Sequence, residues 1–189
     1  MGILVNIFRK KPANTRNQLE EWLQTLAIEA EAVADVGGKP LPVKDRVRSW
    51  QVKQYDLLDL PEHDLNQPWD WKEIYEAVFC LEVFEYVYNP MQAMRNLYDM
   101  LKKGGALYTS FHFLYPHHST KFRDYLRYTR WGVDKLLQEA GFSSWEIYPR
   151  YFKSPRLIMR VYADERMRGN NSNRGRLHTE QGYLVKAIK

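Results

Sequence analysis

The residues best suited to chemistry fall into two groups. The first is a set of acids and glycines at the ends of short apolar runs. Asp35 stands with Gly37 and Gly38 in VADVGGKP, Asp56 and Asp59 close YDLLDLP, Asp64 precedes Leu65, and Glu82 follows Cys80 and Leu81. A carboxylate can accept two hydrogen bonds from a diol, and glycines let the backbone approach a ligand with no Cβ in the way. The second group is SFHFLYPHHSTKFRDYLRYT, which gathers His112, His117, His118, Tyr115, Tyr125, Arg123, Asp124 and Arg127. Imidazoles can take up a proton, and tyrosines can shape a pocket or lie against a cationic group. Asp124 and Arg127 also have the spacing of a plain helical ion pair. Cys80 and the histidines lack metal-ligand spacing, so a metal site is not expected.

The elements that must hold these residues can be read from periodicity and punctuation. Thr15 and Gln18 form a candidate capping box. Leu19, Trp22, Leu23, Leu26, Ala27 and Ala30 then keep helical spacing, which predicts a helix over 15–31. Val33 to Val36 reads as a short buried strand ended by Gly37-Gly38. Residues 39–51 hold two prolines and no clean periodicity. A proline inside a helix costs roughly 3 kcal/mol, so no long helix is expected there. Val52 to Leu60 and Ala77 to Leu81 read as strands. A helix is predicted over 90–103, ended by Gly104-Gly105, with ALYTSF as the next strand. Thr129 and Gly141 bracket another helix, with Val133, Leu136, Leu137 and Ala140 as its buried stripe. SWEIYPRYF and GYLVKAIK read as a final antiparallel hairpin around a polar loop near 163–176. Strands alternating with helices imply an α/β fold, Rossmann-like, with a mostly parallel sheet covered on both faces.

A length of 189 residues suits one domain with a buried core. Residues 1–14 read as an N-terminal extension and 15–189 as the domain. The apolar run Ile3 to Phe8 is interrupted by Asn6 and followed, not preceded, by basic residues, which argues against a signal peptide. No apolar run approaches the ~20 residues of a membrane span. The lone Cys80 leaves no internal disulfide and fits a reducing cytoplasm. A net charge of +5, much of it in RMRGNNSNRGR, does not describe a continuous nucleic-acid face.

EAVFCLEVFEYVYNP, LYDMLKKGGALYTSF and DYLRYTRWGVDKLLQEAGF together resemble the second half of a class I S-adenosylmethionine (SAM)-dependent methyltransferase, of the type 11 kind. The resemblance implies SAM as cofactor and a small-molecule or sugar-like methyl acceptor. Asp35, Gly37 and Gly38 look like a shortened form of the family's acid-x-Gly-x-Gly loop, although a strand-ending turn would look much the same. The resemblance implies that Asp59, or alternatively Asp56, meets the ribose hydroxyls. It places Asp64-Leu65 at the adenine and Cys80, Leu81 and Glu82 at the methionine end. Asp59, Asp64 and Asn66 are equally common turn residues, and Glu82 could be an acid at a helix start. In this fold the loop after the ALYTSF strand helps cover the transfer site. His112 is then the candidate base, with Tyr115, His117, His118, Tyr125 and Arg127 toward the acceptor. The family's helix between its first two strands is reduced or lost here, since residues 39–51 leave little room for it.

Overall fold

The structure, a computed structural model, describes residues 15–39, 41–115, 123–152 and 180–189. Helix α1 (Thr15–Leu23) leads into strand β1 (Ala27–Val36) and, after a 3-10 turn at Val43–Asp45, strand β2 (Ser49–Leu58). Strand β3 (Tyr75–Cys80), a 3-10 turn at Phe84–Tyr86, helix α2 (Pro90–Met100) and strand β4 (Leu101–His112) follow. Helix α3 (Arg130–Ala140) and strands β5 (Ser144–Tyr151) and β6 (Glu180–Ile188) complete the order. One six-stranded sheet runs β2-β1-β3-β4-β6-β5. β2, β1, β3 and β4 pair in parallel, and β6 pairs antiparallel with both β4 and β5. The predicted α/β class, the mostly parallel sheet and the C-terminal antiparallel pair are therefore all present.

The centre of the sheet is buried on both faces, as parallel sheets are. Along β3, Val78 and Cys80 point into a core with Met94, Leu97, Met100, Val133 and Leu137 of α2 and α3. Ala77 and Phe79 alternate to the other face, where they meet Leu19 and Leu23 of α1 with Val43 and Val47.

Two helix ends differ from the sequence reading. The predicted helix over 15–31 stops at Leu23, and Ala27–Val36 is a strand. Its alanines and alternating glutamates suit either period, and pairing with β2 on one side and β3 on the other decides for the strand. The predicted helix over 90–103 stops at Met100, because Leu101 already pairs with Tyr75 in the sheet. Gly104, at φ +78°, is thus a kink inside β4 and not a helix stop. The side-chain amide of Gln18 donates to the Tyr151 carbonyl and accepts from the Tyr151 N–H, both at 2.9 Å, and so clasps α1 to β5. The helix over α3 has the predicted cap, with Thr129 accepting from Gly132 N–H and Gly141 at φ +101°. Among the described residues between β1 and β2 the helical element is the short 3-10 turn, in keeping with the prolines. The N-terminal extension and the loop near 163–176 lie outside the described residues.

Candidate active site

The chain leaves β1 toward β2 on one side and reaches β3 on the other, so the carboxyl ends of β1 and β3 form the switch point where α/β sheets bind ligands. Two adjoining cavities open there. The larger, about 380 Å³, lies over Asp35, Gly37, Gly38, Leu81, Glu82 and Glu85, with Arg16, Lys39 and Arg46 at its rim. The smaller, about 270 Å³, is lined by Leu58, Asp59, Asp64, Leu65 and Val83 among others. Gly37, Lys39, Glu82 and Tyr86 line both, which makes them one cleft.

Asp35 organises the shortened β1 loop from within. Its Oδ2 accepts from Val43 N–H at 2.8 Å and Tyr55 O–H at 2.6 Å. Burial raises its pKa, and these two hydrogen bonds only partly offset that. Gly38 lies so close that an added Cβ would be 2.3 Å from this carboxylate. Gly37 has φ +76°, and a Cβ there would meet Val83 Cγ2 at 2.5 Å. A side chain at either position would thus collide with the protein's own Asp35 or Val83.

The smaller cavity is positioned by the segment between β2 and β3, which is held by hydrogen-bonded turns. The buried Asn96 of α2 donates to the carbonyls of Leu65 and Gln67, and its side-chain oxygen accepts from Trp69 N–H. Asp64 Oδ1 accepts from the Asn66 N–H and side-chain amide. Asp59 Oδ1 caps the adjacent Leu60 N–H at 2.9 Å, while Asp59 itself lines the cavity. Asp56 is instead held by Tyr75 and Gln54 away from the lining, which favours Asp59 of the two candidates.

Between the cavities stands Glu82. Its backbone is left-handed, φ +57°, a conformation that costs a non-glycine residue on the order of 1 kcal/mol. Ser110 compensates twice: its hydroxyl accepts from Glu82 N–H and donates to Glu82 Oε1, both at 2.7 Å. Arg150 Nη1 lies 3.0 Å from the same oxygen, and His112 Nε2 lies 3.1 Å from Oε2. His112 Nε2 is also 3.2 Å from the fully buried Glu85. Burial alone would raise the Glu82 pKa, but His112, Arg150 and Ser110 hold it well below the usual carboxylate range. Burial would likewise lower that of His112, and Glu82 and Glu85 outweigh it, raising it to about 9.

Strand register creates this cluster. Gly182 of β6 pairs with His112 on one side and Arg150 on the other. A Cβ at Gly182 would lie 2.4 Å from the Phe111 carbonyl oxygen and 3.1 Å from Arg150 Nη2. The missing side chain lets the guanidinium reach across β6 to β4 and Glu82.

Other sequence candidates fall in different places. Leu81 and Glu82 line the cleft, whereas Cys80 points into the apolar core with its thiol pKa pushed up by burial. Tyr115 lines the larger cavity and stacks on His112 with ring centroids 4.2 Å apart. His112, the candidate base of the sequence reading, is 1% exposed and lies beside Glu82 and Glu85, which raise its pKa to about 9 against the lowering effect of burial. Arg127 pairs with Asp124 and donates to the Tyr115 carbonyl, away from the cavity lining. Tyr125 is half exposed and packs edge-to-face on Tyr88. His117 and His118 lie outside the described residues. Glu85, Ser110, Arg150 and Gly182 did not stand out in the sequence, since only the cross-strand register brings them together.

A family model described as a methyltransferase domain matches residues 43–109, a span that begins after the Asp35–Gly38 loop. No curated protein matches. Among solved structures, the chain is similar to one in the complex of the Haloferax volcanii Trm112 methyltransferase activator with a methyltransferase, at 14% identity and TM-score 0.60, covering 92% of this chain and 88% of that one. It is also similar to Haemonchus contortus phosphoethanolamine N-methyltransferase 2 in complex with SAM, at 12% identity and TM-score 0.54, covering 97% and 54%. A third is the [4+2]-cyclase SpnF, at 15% identity and TM-score 0.56, covering 96% and 84%. At these identities the structures establish the fold, which is that of class I methyltransferases. The domain match and the fold agree with the resemblance to class I methyltransferases. Among the described residues no helix is long and apolar enough to cross a membrane.

Proposed function

We propose that this protein is a SAM-dependent methyltransferase acting on a small-molecule or sugar-like acceptor, with its cofactor in the cleft between the ends of β1 and β3. The observation that carries this reading is the union of the two cavities at Gly37 and Glu82. One cavity offers Asp59 and Asp64 to a ribose and an adenine, and the other offers Gly37, Gly38, Leu81 and Glu82 to an amino acid portion. Arg16 and Lys39 at the rim suit its carboxylate. The residues fit the group: acids face its hydroxyls and amines, and glycines stand where the backbone must come close.

Bound there, SAM supplies a methyl group on a sulfonium, open to in-line displacement by an acceptor lone pair. The chain's work is then positioning. Tyr115, stacked over His112, and Tyr86 shape the cavity on the acceptor side. Among the described residues none is assigned as a base in this reading; His112 holds Glu82 and Glu85 in place. The buried, single Cys80 suits a reducing compartment such as the cytoplasm.

A second reading, a silent relative that binds a ligand without methyl transfer, rests on Asp35. Its carboxylate is committed to Val43 and Tyr55, and the loop it anchors is short. Calorimetric titration with SAM and S-adenosylhomocysteine tests the first reading, which predicts saturable binding of both. No binding at millimolar ligand would sink it. Binding without methyl transfer to any of a panel of small-molecule and sugar acceptors would favour the second.

A further inference from the structure

The neighbours of Glu82 divide sharply by exposure. The Glu82 side chain is 34% exposed, whereas those of Arg150 and His112 are each 1% exposed. The two cations therefore grip the carboxylate from below, and a ligand in the cleft meets the carboxylate first. Both oxygens are held, Oε1 by Ser110 and Arg150 and Oε2 beside His112. Each carboxylate oxygen can take more than one partner, so acceptor capacity remains toward the cleft. The left-handed backbone at Glu82 is a second mark of a group held in place by its surroundings.

We propose that Arg150, reaching across Gly182, acts with Ser110 and His112 to fix Glu82 as the group by which the cleft distinguishes a cationic sulfonium cofactor from its neutral thioether product. The inference rests on the cofactor reading above. A fixed negative charge a few ångströms from a sulfonium attracts it, and the same charge gains nothing from a thioether. Donation of the methyl group removes the positive charge from sulfur, since the C–S bonding electrons stay there as the new bond to the acceptor forms. The product then loses the contact that its precursor had, and its release is favoured. Arg150 and Ser110 touch no ligand in this scheme; they are positioning residues, and Glu82 makes the contact.

The test is a pair of dissociation constants, for SAM and S-adenosylhomocysteine, measured by calorimetry at pH 7.5 on folded variants. Glu82→Gln, nearly isosteric, should weaken SAM by about tenfold or more while changing S-adenosylhomocysteine by less than about threefold. Arg150→Lys, which keeps the buried positive charge but loses the guanidinium fork that holds Oε1, should shift the ratio in the same direction. Ser110→Ala, which removes a positioning contact without changing any charge, should also shift the ratio in that direction and carries the test if Arg150→Lys does not fold. Equal losses for both ligands would reduce the cluster to a structural role and overturn the proposal. An unchanged ratio in Glu82→Gln would also overturn it while leaving the cofactor site intact. Failure of the wild-type protein to bind either ligand would instead remove the cofactor reading on which it stands.

Discussion

Glu82 and Asp35 are both acids placed just after strand ends, yet the structure uses them differently. Asp35 turns inward and is 2% exposed, so its oxygens organise the loop. Glu82 turns toward the cleft with its charge secured from beneath. Asp59 lies between these extremes, lining the smaller cavity with one oxygen capping Leu60. Asp59→Ala should weaken SAM binding by more than about tenfold, as expected for losing a charge-assisted pair of hydrogen bonds to a diol. Unchanged affinity in titration would move the ribose contact elsewhere. Gly38→Ala should abolish cofactor binding and lower the melting temperature, because the new Cβ would sit 2.3 Å from the Asp35 carboxylate. A variant that binds and melts like wild type would mean that the loop relaxes freely.

At the scale of elements, the site depends on strands meeting in a particular register. Gly182 pairs with both His112 and Arg150, so any side chain there collides with the Phe111 carbonyl. Gly182→Ala should cost about 1–3 kcal/mol, the usual range for overpacking, in chemical denaturation. No change in midpoint would show that β6 can shift without loss. This dependence explains what the sequence could and could not reveal. Strand and helix order was legible because apolar periods and glycine stops mark it, and α3 carried its cap at Thr129 and its stop at Gly141. The acids at the strand ends were legible too, because a parallel sheet fixes where its ligands bind. The β1 boundary was not, since AIEAEAVADV suits either period until its neighbours pair with it. The Glu82 cluster was not legible either. Arg150 stands in a strand 68 positions further on, and only the row through Gly182 reveals its partner. The side of β3 on which Cys80 falls likewise follows from strand parity and helix packing together.

Across the whole molecule, the buried charges tie stability to pH. His112 has a folded pKa of about 9 against an ordinary value of 6.5. Because the pKa is raised in the folded state, its contribution is complete below pH 6.5 and is lost as pH rises through about 9. The contribution is on the order of 3 kcal/mol. Denaturant midpoints should therefore fall between pH 7 and about 9.5, and His112→Gln should flatten that limb. A wild-type midpoint constant over this range would show that His112 is neutral in the folded protein. Glu82, with its pKa lowered, contributes in the opposite sense: its share is present above the ordinary carboxylate range and lost as pH falls below it. The fold around this cluster is a class I methyltransferase sheet with its first crossover cut to a 3-10 turn. The central claim is that such a shortened loop still holds the cofactor. Calorimetric titration of SAM into the wild-type chain and into Asp59→Ala tests it most directly. The account predicts saturable binding to the wild type that weakens more than about tenfold in the variant. The absence of binding heat in the wild type at millimolar SAM would contradict it.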